Sequence, residues 1–294
     1  MAEKEKNKVL GGVLYLVGTP IGNLADLSER ARKVLSEADF IAAEDTRQAM
    51  KLLSSFGVKK ECVSYFEHNK KESGERIVSR LLAGESCALV TDAGMPAISD
   101  PGEDIVRLCA DAGIAVSVIP GPCAAVSALA LSGLATRRFA FEGFLEARAT
   151  DRRRRLESLK NEERTLIFYE APHKLCATLS DLATIFGEER KISLCRELTK
   201  INEEVLRTTL GGAVAYYTEN APRGEYVLIV EGTEEAGCNK TVEDTVSPLL
   251  ALTPEQHVRY YEERGLGRMD AIKAAAKDRS MTKSELYKIL NTGK

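Results

Sequence analysis

The hydrophobic pattern of the chain alternates between short apolar runs and amphipathic stretches. Apolar side chains recur at three- and four-residue spacing over residues 28–38, which predicts a helix, and the apolar run 14–17 before it predicts a buried strand. The same alternation predicts strands at 40–43, 62–66, 87–91 and 115–119, and helices at 46–56, 73–83 and 102–112. Strands that alternate with helices favour an α/β fold with a mainly parallel sheet covered on both faces.

The pattern changes after residue 133. Residues 133–164 are rich in charge and interrupt the alternation. Beyond them, the sequence predicts strands at 166–169, 191–197, 204–210 and 225–231, and helices at 173–186 and 213–220. Two of these strands follow one another without a helix between them, which indicates a mixed sheet and a second α/β domain.

These patterns predict five segments. They are a disordered tail (1–11), an N-terminal α/β domain (12–133), a C-terminal α/β domain (134–232), a linker (233–252) and a small C-terminal helical extension (253–294). The extension contains predicted helices at 254–264, 269–279 and 282–291 and resembles a small helix-turn-helix unit. A helical cap or a dimerisation element is the alternative.

Composition narrows the function classes. The 294 residues include 41 Lys and Arg against 44 Asp and Glu, a net charge of −3, which excludes a histone-like polycation but leaves room for a local basic patch. Seven cysteines form no CxxC pair, as is typical of reduced thiols in the cytoplasm. The three histidines are far apart in sequence, so no metal is expected. The apolar run near the N-terminus is shorter than the ~20 residues that span a bilayer, so we expect a cytoplasmic protein with no membrane partner.

Two loops follow predicted strands of the first sheet and contain unusual residues. The loop 18–23 is glycine-rich and contains Pro20, but its spacing matches neither a P-loop nor a dinucleotide fingerprint. The loop 92–102 holds two glycines, two prolines and two aspartates, and Asp92 or Asp100 could accept hydrogen bonds from a ligand. Tight turns in the first loop and helix caps in the second are the structural alternatives.

Two further strand ends add to this set. Small residues in 120–124 would let a ligand approach the backbone, and Glu44, Asp45 and Arg47 place three charges after the second strand. The charges could instead form only a local ion-pair cluster. Because the carboxyl ends of parallel strands lie at one edge of a sheet, the four loops together predict a ligand site there.

Ionisable residues also follow two strands of the second domain. Glu170 and His173 follow one strand, and Glu197 and Lys200 follow another, so all four are candidate acid or base groups. Lys200 could orient a phosphate or, with a lowered pKa, act as a base. A structural histidine and a solvated surface lysine are the alternatives.

The arginine run 152–155 is a candidate RNA contact. Four consecutive arginines cover every side of a helix, and Arg137, Arg138 and Arg148 are near in sequence. The planar guanidinium group suits phosphate, so we expect Arg152, Arg153, Arg154 and Arg155 to bind RNA. A solvated helix face is the alternative.

Six segments resemble a known family. They are GTPIGNL (18–24), EDTR (44–47), DAGMPAISDPG (92–102), FEGFL (141–145), YEAPH (169–173) and RELTK (196–200). In this order they resemble RNA-methylating members of the tetrapyrrole methylase family, the class III S-adenosylmethionine-dependent methyltransferases. The resemblance covers residues 12–232, and the helical tail is similar to a C-terminal extension of such members.

The resemblance implies a fold, a cofactor and a reaction. It implies two α/β domains with S-adenosyl-L-methionine in the cleft between them, a homodimer, and methylation of the ribose 2′-hydroxyl of a decoding-centre cytidine in 16S ribosomal RNA of the 30S subunit. The cofactor positions it implies are Pro20, Asp92, Ala93, Gly94, Met95, Pro96, Ala97, Ile98, Cys123, Ala124, Phe168, Tyr169 and the start of the last strand. Two positions depart from the family pattern, since Cys123 replaces a usual Ser and Met95 a frequent Thr.

The residues agree with such a cofactor but leave the base open. S-adenosylmethionine carries a sulfonium cation and no phosphate, so loops of Gly, Pro, Ala and Ile with occasional Asp suit it better than a nucleoside triphosphate. The catalytic candidates are Lys200, Glu170, Glu44, Asp45 and Arg47, in no fixed order. A tetrapyrrole (precorrin-type) methyltransferase and a non-catalytic RNA-binding assembly factor remain alternative functions.

Overall fold

The computed structural model describes residues 7–233, 249–250, 252–279 and 281–291. The chain forms two compact units, residues 1–233 and 234–294. Both five-stranded sheets lie in the first unit, and three helices form the described core of the second.

The first sheet is entirely parallel. Its strands are β1 (Val13–Val17), β2 (Phe40–Ala43), β3 (Glu61–Ser64), β4 (Cys87–Val90) and β5 (Ala115–Ile119), in the order β3-β2-β4-β1-β5. The central strands β2 and β4 are buried at every position, as expected for a parallel sheet covered on both faces. All carboxyl ends therefore point to one edge, and the loops that follow β1, β2, β4 and β5 meet there.

Four helices cover this sheet. They are α1 (Glu29–Glu37), α2 (Thr46–Ser55), α3 (Lys70–Leu82) and α4 (Glu103–Asp111), and a short 3-10 helix spans Leu24–Asp26. Helix α1 begins where the Ser28 hydroxyl accepts a hydrogen bond from the Ala31 N–H (3.1 Å) and buries Val34 and Leu35. Helices α1 and α2 pack on one face and α3 and α4 on the other, which gives two separate apolar cores.

The second sheet is mixed. Its strands are β6 (Phe139–Phe144), β7 (Thr165–Glu170), β8 (Lys191–Arg196), β9 (Glu204–Thr209) and β10 (Tyr226–Val230), in the order β6-β7-β10-β8-β9. Only β6 and β7 pair in parallel. One face packs against α5 (Ala124–Ser132), and the other packs against α6 (Ala149–Leu159), α7 (Pro172–Phe186) and α8 (Leu210–Glu219).

The mainly parallel sheet followed by a mixed sheet confirms the predicted fold class. The division into two α/β domains at residue 133 stays a prediction, because both sheets belong to one compact unit. The predicted interruption at 133–164 is wrong in part, since it contains β6 and α6. Strand β6 lies at a sheet edge, has a bulge between Phe141 and Gly143 and buries only Ala140 and Gly143, so it lacks a strong apolar pattern.

Residues 7–11 of the predicted disordered tail (1–11) belong to the described part of the chain. Residues 1–6 lie outside the described part, but the Leu10 N–H donates to the Tyr15 hydroxyl (2.8 Å) and the Gly12 N–H donates to the Glu85 carbonyl (2.9 Å). Gly11 lies so close to the Gly84 carbonyl that a Cβ would collide with it. These contacts fix the chain just before β1.

The second unit contains α9 (Pro254–Glu262), α10 (Arg268–Asp278) and α11 (Lys283–Asn291), as the sequence predicts. The Thr253 hydroxyl and the Gln256 side chain form a reciprocal capping box at the start of α9. Most of the predicted linker 233–252 lies outside the described residues. None of the described helices is long and apolar enough to cross a membrane.

Candidate active site

A cavity of about 350 Å³ opens where the carboxyl-end loops of the first sheet meet the second sheet. We call it the central cavity. It is lined from the first sheet by Ile21 and residues within 92–100 and 123–124, and from the second by residues within 169–171, 195–200 and 225–227. The loops after β1, β4 and β5 therefore converge, as their common position at the end of parallel strands predicts.

Backbone contacts hold the first-sheet loops together. Thr19 and Gly94 exchange two backbone hydrogen bonds (2.9 and 3.1 Å), and the Thr19 hydroxyl donates to the Thr91 carbonyl (3.2 Å). Gly18 and Gly121 approach so closely that a Cβ on either would lie within 3 Å of the other's backbone. These glycines are therefore required for the packing of the loops after β1 and β5.

The loops of the two sheets also contact each other. The Ala125 N–H, at the start of α5, donates to the Tyr169 hydroxyl (3.2 Å). A Cβ at Gly22 would collide with the side chain of Lys200. The two walls of the central cavity are therefore fixed relative to each other by direct contacts.

Backbone strain concentrates at this cavity. Among the described residues, four non-glycine residues have positive φ: Ala97 (68°), Ser99 (63°), Glu197 (51°) and Thr199 (65°). They lie in two loops, one on each wall, and both loops line the cavity. Strain of this kind costs about 1–3 kcal/mol per residue and clusters at functional sites, so it marks the central cavity as a site rather than a packing defect.

Three carboxylates gather at this edge of the sheet: Asp92 and Asp100 line the central cavity, and Glu44 lies beside them without lining it. Burial raises the pKa of Glu44, and the neighbouring Asp100 and Asp92 raise it further. Burial likewise raises the pKa of Asp100, with Asp92 contributing. The Thr91 hydroxyl lies near Glu44 and Asp100, is buried, and forms no hydrogen bond with acceptable geometry to any described residue. This edge of the sheet is thus negative and incompletely hydrogen-bonded.

Asp45 and Arg47 form a local structure at the start of α2. The Asp45 carboxylate caps the helix by accepting from the Arg47 N–H (2.8 Å) and pairs with the Arg47 guanidinium (2.9 Å). The hydrogen bonds from the Arg47 side chain and backbone lower the pKa of Asp45. The Arg47 side chain is 82% exposed and does not line the cavity.

Glu170 lines the cavity, but both of its carboxylate oxygens already have partners. One accepts from the Ala171 N–H (2.8 Å) and the other from the Thr178 hydroxyl (2.5 Å), and the residue is 3% exposed. Glu170 therefore anchors the start of α7. His173 lies exposed in the first turn of the same helix and does not line the cavity.

Lys200 is held by two carboxylates. Its ammonium group donates to Glu197 (2.9 Å) and Glu225 (2.8 Å). Burial alone would lower the pKa of Lys200, but the hydrogen bonds to Glu225 and Glu197 outweigh it, and the pKa lies above its ordinary value. The prediction that Lys200 could act as a base through a lowered pKa is therefore wrong. Its ammonium group stays charged and forms part of the cavity wall.

A second cavity of about 250 Å³ lies beside the first. It is lined by Thr19 and Pro20 after β1, by the end of β4 through Asp92, and by residues of α2. Asp92 lines both cavities. The two spaces are thus neighbours at the same edge of the first sheet.

Comparison with known proteins identifies the family. The profile of the tetrapyrrole (corrin/porphyrin) methylases matches residues 13–214. The chain belongs to the tetrapyrrole methylase family. The matched range contains most of the central-cavity loops described above.

Several methylases of this family resemble the chain closely. It is 50% identical to a protein of Halalkalibacterium halodurans over 95% of this chain and 94% of that protein, and 45% identical to one of Bacillus subtilis over 94% and 93%. Both relatives bear the name ribosomal RNA small subunit methyltransferase I.

Solved tetrapyrrole methylase structures share the fold. A cobalt precorrin-4 methyltransferase has 17% identity and a TM-score of 0.57, with 75% of this chain and 95% of that chain covered. A uroporphyrin-III-C-methyltransferase from Thermus thermophilus has 22% identity and a TM-score of 0.54, with 74% and 94% covered.

The structure brings together most positions that the tetrapyrrole methylase resemblance implies for the cofactor. The ones that line the central cavity are Asp92, Ala93, Gly94, Met95, Ile98, Cys123, Ala124 and Tyr169. Pro96 and Ala97 belong to the same loop but do not line it, and Pro20 lines the second cavity instead. The structure corrects the prediction that Phe168 contacts the cofactor. Side chains alternate along β7, so Phe168 packs into the opposite core while Tyr169 faces the cavity.

Arg152 is a second correction. It is not an exposed RNA contact, because its side chain is 7% exposed and pairs with Asp181 (2.7 Å) between α6 and α7. Arg153 also reaches Asp181 but stays largely exposed, Arg154 is 81% exposed, and Arg155 pairs with Glu142 (2.5 Å). Three of the four arginines thus remain available to a ligand at the surface.

Some lining residues carried no signal in the sequence. Cys195 looked like an ordinary buried thiol, yet it lines the cavity from within β8. Glu225 precedes β10 and meets Lys200 only because β10 pairs with β8 in the sheet. The alternation of side chains along β8 is the one feature of the sequence that could have placed Cys195 on the cavity side. Among the described residues, no group of three His, Cys, Asp or Glu side chains is arranged to hold a metal ion.

Proposed function

We propose that this protein transfers the methyl group of S-adenosylmethionine to the 2′-hydroxyl of a decoding-centre cytidine in 16S ribosomal RNA. The identity of 42–50% to proteins named ribosomal RNA small subunit methyltransferase I, over 75% or more of this chain, supports methylation of that RNA. The 2′-hydroxyl and the cytidine are what the family resemblance of the sequence motifs implies. The likeness to enzymes that act on tetrapyrroles is 17–22% and supports the fold alone.

The central cavity fits the methyl donor chemically. Ile21, Met95 and Val227 provide apolar surface, and Asp92 and Asp100 supply carboxylates from the first-sheet wall. A donor with a sulfonium and an ammonium group suits these negative charges, and apolar contacts suit its adenine. The strained loop that contains Ala97 and Ser99 presents its backbone groups at fixed positions. The cofactor positions stated above, with the exception of Phe168, are therefore part of the proposal.

Bound S-adenosylmethionine would supply an electrophilic methyl carbon. The part of the chain's own residues would be to hold the ribose against that carbon and to accept the proton of its 2′-hydroxyl. Among the candidates, Glu44 is the best acceptor, because its pKa is raised and it makes no hydrogen bond to a cation. Asp45 and Glu170 are occupied, and Lys200 is protonated.

The exposed arginines supply an RNA surface in this proposal. Arg153, Arg154 and Arg155 lie on α6, Arg148 directly precedes this helix, and Arg137 and Arg138 are exposed just before β6. Guanidinium groups of this kind bind phosphate oxygens of folded RNA. The partner is then 16S ribosomal RNA, alone or in the 30S subunit, which would place the protein in the cytoplasm.

A homodimer is also retained as a proposal. Strand β5 lies at the edge of the first sheet and exposes Val116 and Val118, which suits a contact between two copies. Light scattering should then give twice the mass of one chain, and a monomer mass at micromolar concentration would reject the dimer.

The product of the reaction tests the function. We expect the protein to transfer labelled methyl groups to 30S subunits that lack the modification, and nuclease digestion to release 2′-O-methylcytidine, identified by mass spectrometry. A base-methylated nucleoside would reject the 2′-hydroxyl as acceptor. Methylation of a uroporphyrinogen or precorrin instead would establish the tetrapyrrole alternative. Calorimetry without heat on addition of S-adenosylmethionine would favour a non-catalytic RNA-binding factor.

A further inference from the structure

The second cavity has the position of an acceptor site. It lies against the loop after β1 and the first turns of α2, and Asp92 separates it from the central cavity. Because β4 lies between β1 and β2 in the sheet, a group bound in the second cavity would face the central cavity across the end of β4. A methyl donor in one space and its acceptor in the other would meet at that point.

Three polar side chains line this cavity. The buried Thr91 hydroxyl lies beside the carboxylates of Glu44 and Asp100, although no hydrogen bond of acceptable geometry joins it to them. Gln48 and Lys51, one turn apart on α2, are exposed, and no hydrogen bond or ion pair joins their side chains to the described residues. The cavity therefore has a polar side whose amide and ammonium groups are available to a ligand.

The remaining walls are apolar. Leu24, Ala49 and Leu52 line the cavity alongside the polar groups. Apolar side chains against the faces of a ring and polar ones at its edge are the arrangement by which enzymes hold an unstacked nucleotide. At about 250 Å³ the cavity is smaller than the central cavity, which suits one pyrimidine nucleoside rather than a longer segment of RNA.

We propose that the second cavity binds the target pyrimidine nucleoside, with Gln48 and Lys51 at the edge of its base and the Thr91 hydroxyl as a further hydrogen-bonding partner. A glutamine amide can donate to the ring nitrogen and accept from the exocyclic amine of cytosine, while a lysine donates to its carbonyl oxygen. This assignment rests on the proposed function, because it takes RNA as the methyl acceptor.

Three variants separate acceptor binding from donor binding. Gln48→Ala and Lys51→Ala should each raise KM for 30S subunits roughly tenfold, the effect of one hydrogen bond to a charged or well-placed group. Their affinity for S-adenosylmethionine, measured by calorimetry, should stay at the wild-type value, because neither residue lines the central cavity. Thr91→Val keeps the shape of the side chain, removes the hydroxyl beside Glu44 and Asp100, and should also raise KM for 30S subunits.

Lys59→Ala is the matched control. It removes the same charge, but Lys59 precedes β3 and so lies at the amino edge of the sheet, away from both cavities. Its KM should equal that of the wild type. Wild-type KM values for Gln48→Ala, Lys51→Ala and Thr91→Val would overturn the assignment, even if the wild-type protein methylates ribosomal RNA.

A binding measurement tests the cavity independently of methyl transfer. With the central cavity saturated by S-adenosylhomocysteine, millimolar cytidine should shift the backbone amide resonances of Ala49 and Thr91, and guanosine should shift them less. Lys51→Ala should weaken the cytidine effect. No shift at these amides, or equal shifts with guanosine, overturns the pyrimidine site. If the wild-type protein shows the cytidine shifts but does not methylate ribosomal RNA, the proposed function is rejected and the pyrimidine site is retained.

Discussion

At the scale of single residues, the central question is which carboxylate is free to accept a proton. Asp45 is paired with Arg47, and Glu170 gives both oxygens to the start of α7. Glu44 differs, because burial and the nearby Asp100 and Asp92 hold its pKa above the ordinary value. A raised pKa makes a carboxylate a stronger base, so electrostatics select Glu44 from a set that the sequence could not rank.

We expect Glu44→Gln to lower kcat for methyl transfer by about 100-fold or more, the usual contribution of a general base. The activity of the wild type should fall with decreasing pH through a midpoint above the ordinary Glu value of about 4.3, because Glu44 must be ionised to accept the proton. The variant should lose that dependence. Rates at pH 5–8 with saturating 30S subunits measure both effects.

Glu75→Gln provides the control for that experiment, since Glu75 is an exposed carboxylate on α3, outside both cavities. It should leave kcat and the pH profile unchanged. Affinity of Glu44→Gln for S-adenosylmethionine should remain within a fewfold of wild type. A Glu44→Gln enzyme with wild-type kcat would show that the proton leaves by another route.

At this scale, the sequence does not show which side chains pair with one another. Position at a strand end was enough to place Glu44, Glu170 and Lys200 near one site. It could not show that Glu225 joins Glu197 in holding Lys200, because that ion pair depends on the pairing of β8 with β10. Nor could it show that Thr178, the seventh residue of α7, occupies one oxygen of Glu170.

At the scale of elements, α6 combines a structural role and a binding role. Its inner face buries Leu156 and Leu159 together with Arg152, whose charge is balanced by Asp181 on α7. Its outer face carries Arg154 and the partly exposed Arg153 and Arg155. Few apolar residues face inward, which explains why the charged segment 133–164 did not look like a helix that packs on a sheet.

The two faces of α6 should respond differently to substitution. Replacing Arg153, Arg154 and Arg155 together with Gln should raise Kd for 30S subunits and reduce the slope of log Kd against log salt by up to about 3, roughly one unit for each lost phosphate contact. The free energy of unfolding should change little, because these side chains are exposed or lie in surface ion pairs. Filter binding at several salt concentrations measures the first effect.

Arg152→Gln is the contrasting variant. Loss of a buried ion-pair partner costs about 3–5 kcal/mol, and we expect the lower end because Arg153 still neutralises Asp181. Urea unfolding should show this loss, with the salt dependence of RNA binding retained in the folded protein. If the triple variant keeps the wild-type salt slope, the outer arginines do not contact RNA phosphates and form only a solvated helix face.

At the scale of the whole molecule, the sequence predicted the two kinds of sheet and the C-terminal helices because each has a strong local pattern. It did not predict the polar centre of the helical unit. His257 is fully buried there: its Nδ1 accepts from the Arg279 guanidinium (3.0 Å), and its Nε2 lies 3.2 Å from Asp278. Tyr261 also donates to Asp278 (2.5 Å). Contacts between α9 and the end of α10 create this cluster, and neither segment shows it alone.

We expect this cluster to make the helical unit sensitive to acid. Burial lowers the pKa of His257, and Arg279 lowers it further against the opposing effect of Asp278. A histidine whose pKa is lower in the folded state stabilises the fold above its unfolded value of about 6.5, and that stability is lost as pH falls through the folded value. We therefore expect amide hydrogen exchange in the described residues of 254–291 of the full chain, corrected for intrinsic rates, to be faster at pH 5 than at pH 7.

Two variants test the role of His257. His257→Gln, whose side chain cannot be protonated in this range, should show no such difference. His68→Gln, at an exposed site in the first unit, should behave as wild type. Equal protection of these helices at both pH values in the wild type would mean that His257 is protonated without disturbing Arg279.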